Sequence, residues 1–310
     1  MSLMSKGIIM NGAIIGTSSI THHHINSLRK NKAKALILCS TRKNSKNLPL
    51  LVKKFSLKKT SLTLKGGFNL IEKNLQNIDF FLLSGRFKDN KKILKRILKY
   101  KKKIFIEKPV FLNSRDFRFL KKFRKYIFVG YNRTKFKNIS YLKRLVKNKK
   151  KIRCIVKIPE KNKKLFFFNS CHIISVLFFL FGKLKIEFRS RDKKFIILKN
   201  NKIEANLYLN FGNSDNFSLE IFSNKERYLL KPLEQLKIFK KLEKETIGIN
   251  NIYNPKIFKK LRENLKSKYK PGFNKQTKDF LKFVRKDFLP KENSLNLAKE
   301  IIIISERIFV

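Results

Sequence analysis

At 310 residues and 42% hydrophobic content, the chain is long enough for two globular domains and too apolar for a disordered one. Its 75 Lys and Arg against 21 Asp and Glu give a formal charge of +54, yet the cations are spread between apolar positions instead of clustering as a nucleic-acid footprint does. Three distant cysteines (Cys39, Cys154, Cys171) exclude a disulfide framework or a zinc site, and the longest apolar stretch, Ile173 to Phe181, falls far short of the roughly 20 residues of a membrane span.

Abundant Lys, Asn, Ile and Phe beside scarce Ala, Gly, Pro and Trp point to drift in base composition as the main source of the charge. Whatever its origin, such a charge attracts phosphorylated ligands and makes association depend on salt. No specific nucleic-acid partner is expected. Reduced thiols, and an N-terminal apolar run that Asn11 interrupts, imply a cytoplasmic protein without a signal peptide.

The first 130 residues alternate two kinds of segment. Apolar runs at Ala13–Ile15, Ala35–Cys39, Phe80–Leu83, Ile104–Ile106 and Ile127–Val129 read as buried parallel strands. Helical stripes lie between them, the clearest being Ile93, Leu94, Ile97 and Leu98. This predicts a doubly wound Rossmann domain over residues 1–130. A second domain, 131–310, opens with a helix over Ile139 to Val146. Alternation then sets in, with Ile152, Cys154, Val156 and Ile158 on one face of a strand. Leu184, Ile186 and Phe188 mark a second, Ile203 to Phe211 a third, and Phe217, Leu219 and Ile221 a fourth. Turn-like segments separate them, so a mainly antiparallel sheet with one covered face is expected. Two helices close the chain, marked by Phe280, Phe283 and Val284, then by Leu297, Ile301, Ile304 and Ile308.

Candidate chemistry gathers at the strand ends. Gly16-Thr17-Ser18-Ser19-Ile20-Thr21 follows the first strand and opens a helix, where a dinucleotide fingerprint needs a bare backbone to approach a pyrophosphate. Only Gly16 keeps a fingerprint glycine; Ser18 and Thr21 stand in the other two positions. The second strand ends in Ser40-Thr41-Arg42-Lys43. Hydroxyls followed by cations, with no acidic residue for a ribose diol, favour NADP over NAD. Ser84 and Gly85 follow the Phe80–Leu83 strand, which stands in the place of a Rossmann sheet's fourth. Glu107-Lys108-Pro109 follows the fifth, and a Lys there points into the crevice where such sheets bind ligands. An ammonium at that place can stabilise a developing alkoxide or relay a proton. His22 to His24 cannot chelate one ion from a helix, because adjacent residues point about 100° apart. No metal is expected.

Glu107-Lys108-Pro109 followed by Gly130-Tyr131-Asn132-Arg133 resembles the two central motifs of the glucose-fructose oxidoreductase and inositol dehydrogenase family (Gfo/Idh/MocA). Gly16 to Leu28, with His24, is similar to that family's first βα unit. Cys171-His172 through Leu180-Phe181-Gly182 resembles its active-site helix, and Tyr228 through Glu234 a segment of its nucleotide-sugar and polysaccharide branch. Pro271-Gly-Phe through Asp279-Phe280-Leu281, then Ser294-Leu295 through Ala298, match its usual ending. These motifs keep their order over nearly the whole chain. The resemblance implies hydride transfer between NAD(P) and a hydroxyl-bearing carbon of a sugar, cyclitol or nucleotide-sugar. Lys108 would be the active-site lysine and His172 the acid/base partner, with Glu107 supporting the nicotinamide-side loop. Tyr131, Asn132, Arg133 and Asn169 would line the substrate cleft, and a second subunit would cover the open sheet face.

The departures cluster at the same place. The family usually has an acidic residue three or four positions before this His; here stand Phe168 and Asn169. Ser175 replaces an Asp that commonly follows it, and Ser84-Gly85-Arg86 replaces a turn with a Pro and then a His. A carboxylate beside an imidazole stabilises the imidazolium, so its loss weakens proton transfer. Two readings stand: a divergent enzyme relying on Lys108 and His172, or a relative that kept the fold and acts as a ligand-binding or assembly protein. A polyanion-binding protein is the more distant alternative.

Overall fold

The computed structural model of the chain describes residues 9–160, 162, 165–210, 215–224, 226–247 and 249–309. They form two compact units. One runs to Asn132 and takes in Lys266–Glu300; the other holds Arg133–Leu265 and the chain from Ile301 on. A single boundary at residue 130 would assign Lys266–Glu300 to the second unit. It belongs with the first because its aromatic side chains pack under the first sheet.

In the first unit, strands β1 (Met10–Ile15), β2 (Ala33–Cys39), β3 (Lys59–Ser61), β4 (Phe80–Leu83), β5 (Lys103–Glu107) and β6 (Ile127–Gly130) form one sheet in the order β3-β2-β1-β4-β5-β6. Every pairing in it is parallel. Except for the three-residue edge strand β3, the strands are apolar runs because both faces are covered, as a parallel sheet requires. Helices α1 (Thr21–Lys30), α2 (Asn47–Phe55), α3 (Leu64–Lys73) and α4 (Phe87–Ile97) connect them. In α4, Ile93, Leu94 and Ile97 turn inward, and the buried Asn90 donates to the Val110 carbonyl at 2.9 Å. The order reverses between β1 and β4, which leaves a crevice at the carboxyl ends of those two strands.

Helix α7 (Phe273–Lys286) completes this core. The Phe280 ring meets Phe80, Phe105 and Phe128 at centroid distances of 5.2, 5.4 and 5.5 Å. These edge-on aromatic contacts add to the burial of apolar area.

The second unit is built on an eight-stranded sheet. After α5 (Lys137–Val146) come β7 (Ile152–Ile158), α6 (Cys171–Phe181), β8 (Lys185–Arg189), β9 (Phe195–Lys199), β10 (Ile203–Leu209), β11 (Ser218–Ser223) and β12 (Glu226–Leu230). A long ribbon, β13 (Gln235–Ile247) and β14 (Asn250–Arg262), follows, and the last helix, α8 (Leu295–Phe309), belongs to this unit from Ile301 on. The sheet order is β14-β13-β12-β11-β7-β10-β9-β8. All pairs are antiparallel except β7 with β10. The alternating residues of β7, β10 and β11 are buried on one face, as their spacing predicts. Phe211, expected at the end of the third strand, lies outside the described residues. The β8 stretch corrects its expectation. Leu184 is buried just before the strand, but a register shift between Ile186 and Phe188 leaves Phe188 49% exposed at the sheet edge. The ribbon carries no periodic apolar signal, and beyond Phe239 nearly all of it is exposed.

Replacing Phe280 with Ala should cost the first unit about 3–5 kcal/mol of stability, because it opens a cavity amid three aromatic partners. Urea unfolding of the full chain measures this. A loss under about 1 kcal/mol would show that the ring is not part of a tight core.

Candidate functional site

The turn after β1 is shaped by sterics. Gly16 has φ +119°, and a Cβ on it would lie 2.1 Å from the Gly85 nitrogen. The backbone therefore stays bare where the loops after β1 and β4 meet. The hydroxyls of Thr21 and Ser84, both buried, lie 2.9 Å apart and 3.3 and 3.2 Å from the Gly16 carbonyl, so that one can donate to the carbonyl while the other donates to its neighbour. Helix α1 opens at Ile20 with no side-chain cap, and the Thr21 and His23 N–H groups donate to the carbonyls of Ser18 and Ile20, each at 3.0 Å.

A cavity of about 450 Å³ lies beside this turn, lined by Thr17, Ser18, Ser19, Thr41, Arg42, Asn44 to Asn47, Gly85 and Arg86. Six residues expected from the sequence (Thr17, Ser18, Ser19, Thr41, Arg42, Gly85) meet there. Ser40 and Ser84 do not reach it: both are fully buried. The Ser40 hydroxyl is engaged with the backbone of Arg42, accepting from its N–H at 3.0 Å and donating to its carbonyl at 2.8 Å. Ile20 is half-buried at the head of α1. Asn44, Ser45, Lys46, Asn47 and Arg86 were missed. The Thr17 and Ser45 hydroxyls bond at 2.7 Å and Asn47 donates to the Thr17 carbonyl at 2.8 Å, which latches the segment before α2 onto the first turn. A bare turn and a polar cavity free of lining carboxylates fit a dinucleotide.

At the end of β5, Glu107 Oε1 lies 2.8 Å from Nε2 of the fully buried His24. The His24 ring is held between Phe105 and Phe273, at centroid distances of 5.0 and 4.9 Å. Glu107 is thus tied back to α1, and Lys108 follows it, half-buried, with Pro109 joined by a cis peptide. Tyr131 is buried and Asn132 donates to the Pro271 carbonyl at 3.1 Å, so both are built into the first unit.

The second unit gathers another polar group. His172 stands in the first turn of α6, 8% exposed, directly after a π-helical turn over Phe166–Ser170. Asn169 and Ser170 on that turn donate to the two carboxylate oxygens of Glu160, at 3.3 and 2.9 Å. Glu160 is only 3% exposed. Burial lowers the pKa of the Arg133 guanidinium, opposed by Glu234, Cys171 and Glu160, and the group lies 5.3 Å from the centre of the Phe217 ring. A buried carboxylate two residues past β7 is thus bound to the turn that precedes His172. No spacing rule connects Glu160 with Asn169, so the sequence carried no signal for it.

A parallel sheet in this order, with a glycine turn at its switch point, is a dinucleotide-binding Rossmann domain. The model of the Gfo/Idh/MocA oxidoreductase family, NAD-binding Rossmann fold, matches residues 10–126 of this chain. No curated protein sequence matches it significantly. Its fold is similar to a dehydrogenase from Chromobacterium violaceum (TM-score 0.74, 11% identity, 96% of this chain and 93% of that one). It is also similar to UDP-N-acetylglucosamine 3-dehydrogenase from Acidithiobacillus ferrooxidans (0.69, 13% identity, 97% of both chains). A third similar structure is myo-inositol dehydrogenase from Lactobacillus casei in complex with NAD(H) and myo-inositol (0.68, 14% identity, 96% and 93%). At such identities the likeness is one of fold.

His23, beside the buried His24, accepts from the Lys270 N–H at 3.3 Å. Burial first, then the charges of His22 and Lys270, push its pKa down from 6.5 to about 4. Between those values the unfolded chain binds a proton that the folded chain rejects, so stability should fall as pH drops through that window. His23→Gln should flatten this part of the curve, read by urea unfolding at neutral and mildly acidic pH. An unchanged slope would contradict the assignment.

Proposed function

We propose that the protein is a nicotinamide-dependent oxidoreductase acting on a hydroxyl-bearing carbon of a sugar, cyclitol or nucleotide-sugar, with NADP preferred over NAD. The observation that carries this reading is the coincidence, on one NAD-binding Rossmann unit, of the carboxylate-free cavity and the Glu107-Lys108-Pro109 segment at the carboxyl end of β5. When bound, the nicotinamide supplies the hydride acceptor or donor. The turn from Gly16 to Ile20, with Thr41, Arg42 and Gly85, holds the dinucleotide, and Ser40 and Ser84 brace it from behind. Glu107, anchored by His24, sets the direction of Lys108. The Lys108 ammonium stabilises the alkoxide that forms when the substrate hydroxyl loses its proton. His172 takes that proton in oxidation and returns it in reduction, a task suited to the intrinsic pKa of imidazole.

Arg133, Asn169, Tyr131 and Asn132 complete the proposed substrate side, the first two directly and the last two by shaping the backbone before Arg133. Glu160 supports the active reading over the catalytically weakened one, because it restores a buried carboxylate to the turn that carries Asn169. The setting proposed is the cytoplasm, in nucleotide-sugar or polysaccharide metabolism. No helix among the described residues is long and apolar enough to cross a membrane. The outward residues of the second sheet include Arg153, Lys157 and the exposed Tyr208, and a second copy of the chain is the proposed cover for that face.

The test is turnover of a panel of inositols, hexoses and UDP-sugars with NADP and NAD, followed by nicotinamide absorbance. Lys108→Ala should lower turnover by about a hundredfold or more, and His172→Gln by a similar factor, without lowering the melting temperature. A folded protein that binds the dinucleotide but turns over no member of the panel would count against the enzyme reading. So would full activity in Lys108→Ala.

A further inference from the structure

The first-unit cavity has three cationic side chains in its lining, Arg42, Lys46 and Arg86, and no aspartate or glutamate. Arg42 and Lys46 come from the segment between β2 and α2. Arg86 comes from the loop after β4, and reaches the cavity because that loop packs so closely. A Cβ on Gly16 would overlap Gly85, and one on Gly85 would lie 3.1 Å from the Thr41 methyl. With neither side chain present, the loops after β1, β2 and β4 converge, and Arg86 becomes part of the same wall as Arg42. Its Nε donates to Asp89 Oδ2 at 3.2 Å, from the first turn of α4. That bond restrains the side chain and leaves the terminal amino groups as donors.

A ribose diol needs acceptors, which a carboxylate at the end of β2 ordinarily supplies. Here two of the hydroxyls near that position are engaged with the protein: Thr17 with Ser45, and Ser40 with the Arg42 backbone. What the wall offers in excess is positive charge and N–H donors. A phosphate monoester, carrying close to two negative charges and three acceptor oxygens, matches that supply, and guanidinium groups bind it with directed bonds. We infer that Arg86 is a second specificity-determining residue of this site, acting with Arg42 from a different loop to clamp the 2′-phosphate of NADP, with Lys46 adding charge. The inference rests on the dinucleotide reading above and adds to it a residue that follows a different strand.

Calorimetric titration of the full-length protein at one fixed ionic strength tests it. The probes are adenosine 2′,5′-bisphosphate, adenosine 5′-monophosphate, NADPH and NADH. The wild-type chain should prefer the bisphosphate to the monophosphate. Arg86→Ala and Arg42→Ala should each weaken bisphosphate and NADPH binding by about tenfold or more. Arg86→Ala should leave monophosphate and NADH within about twofold, and Lys121→Ala, which removes one exposed charge elsewhere, should change nothing. Unchanged bisphosphate affinity in Arg86→Ala overturns the clamp, as does an equal loss for all four probes, which would make Arg86 structural. A wild-type chain that binds NADH but does not favour the bisphosphate overturns the clamp and leaves the dinucleotide reading standing. Bisphosphate binding without either dinucleotide does the reverse, and binding of none of the four overturns both.

Discussion

Gly16 leaves β1 at φ +119°, and a methyl group there would fall 2.1 Å from the Gly85 nitrogen. Few L residues adopt that backbone conformation, and none could place a Cβ in that space. The contact decides what the switch point of the sheet can be. It brings the loop after β4 against the turn after β1 and lets Thr41 touch Gly85, so that one cavity has walls from three strands. Thr21 and Ser84 sit beneath it and satisfy the Gly16 carbonyl, which burial would otherwise leave short of a donor. Two positions that hold glycine in the common fingerprint are thereby filled by hydroxyl residues while the turn stays bare.

The rest of the first unit serves to hold that turn still. The strands beneath it are buried on both faces, and α7, although distant in sequence, closes their aromatic core through Phe280. His24 links α1 to the end of β5 through Glu107, so the helix that follows the Gly16 turn and the strand that leads to Lys108 are joined by one buried pair. In the second unit a similar economy surrounds His172. Glu160 is a buried carboxylate whose desolvation is offset by two hydrogen bonds and by the nearby Arg133 guanidinium.

Much of this was legible in the sequence because the signals are local. Five of the six parallel strands are apolar runs bounded by polar turns. The covered faces of β7, β10 and β11 show period two, and Gly16 and Lys108 stand at strand ends where chemistry is expected. β3 escaped because it is three residues long and has no buried apolar core of its own. The β13–β14 ribbon escaped because nearly all of it beyond Phe239 is exposed, and no covered face imposes an alternation. Arg86 and Glu160 escaped for a different reason. Their importance lies in contacts with Arg42's loop and with Asn169, set by chain folding and not by spacing, and Arg86 is one of many cations in a chain of charge +54. The sequence also gave Ser40 and Ser84 the same standing as Thr41, whereas burial separates those that face the cavity from those that support it.

The account depends most on the bare turn at Gly16 serving as a dinucleotide site. The direct measurement is a nicotinamide-fluorescence titration of the folded wild-type chain and of Gly16→Ala near physiological salt, with circular dichroism to confirm that both are folded. The account predicts micromolar binding by the wild-type chain that Gly16→Ala loses. Failure of the folded wild-type chain to bind any nicotinamide dinucleotide, or equal binding by a folded Gly16→Ala, would contradict it.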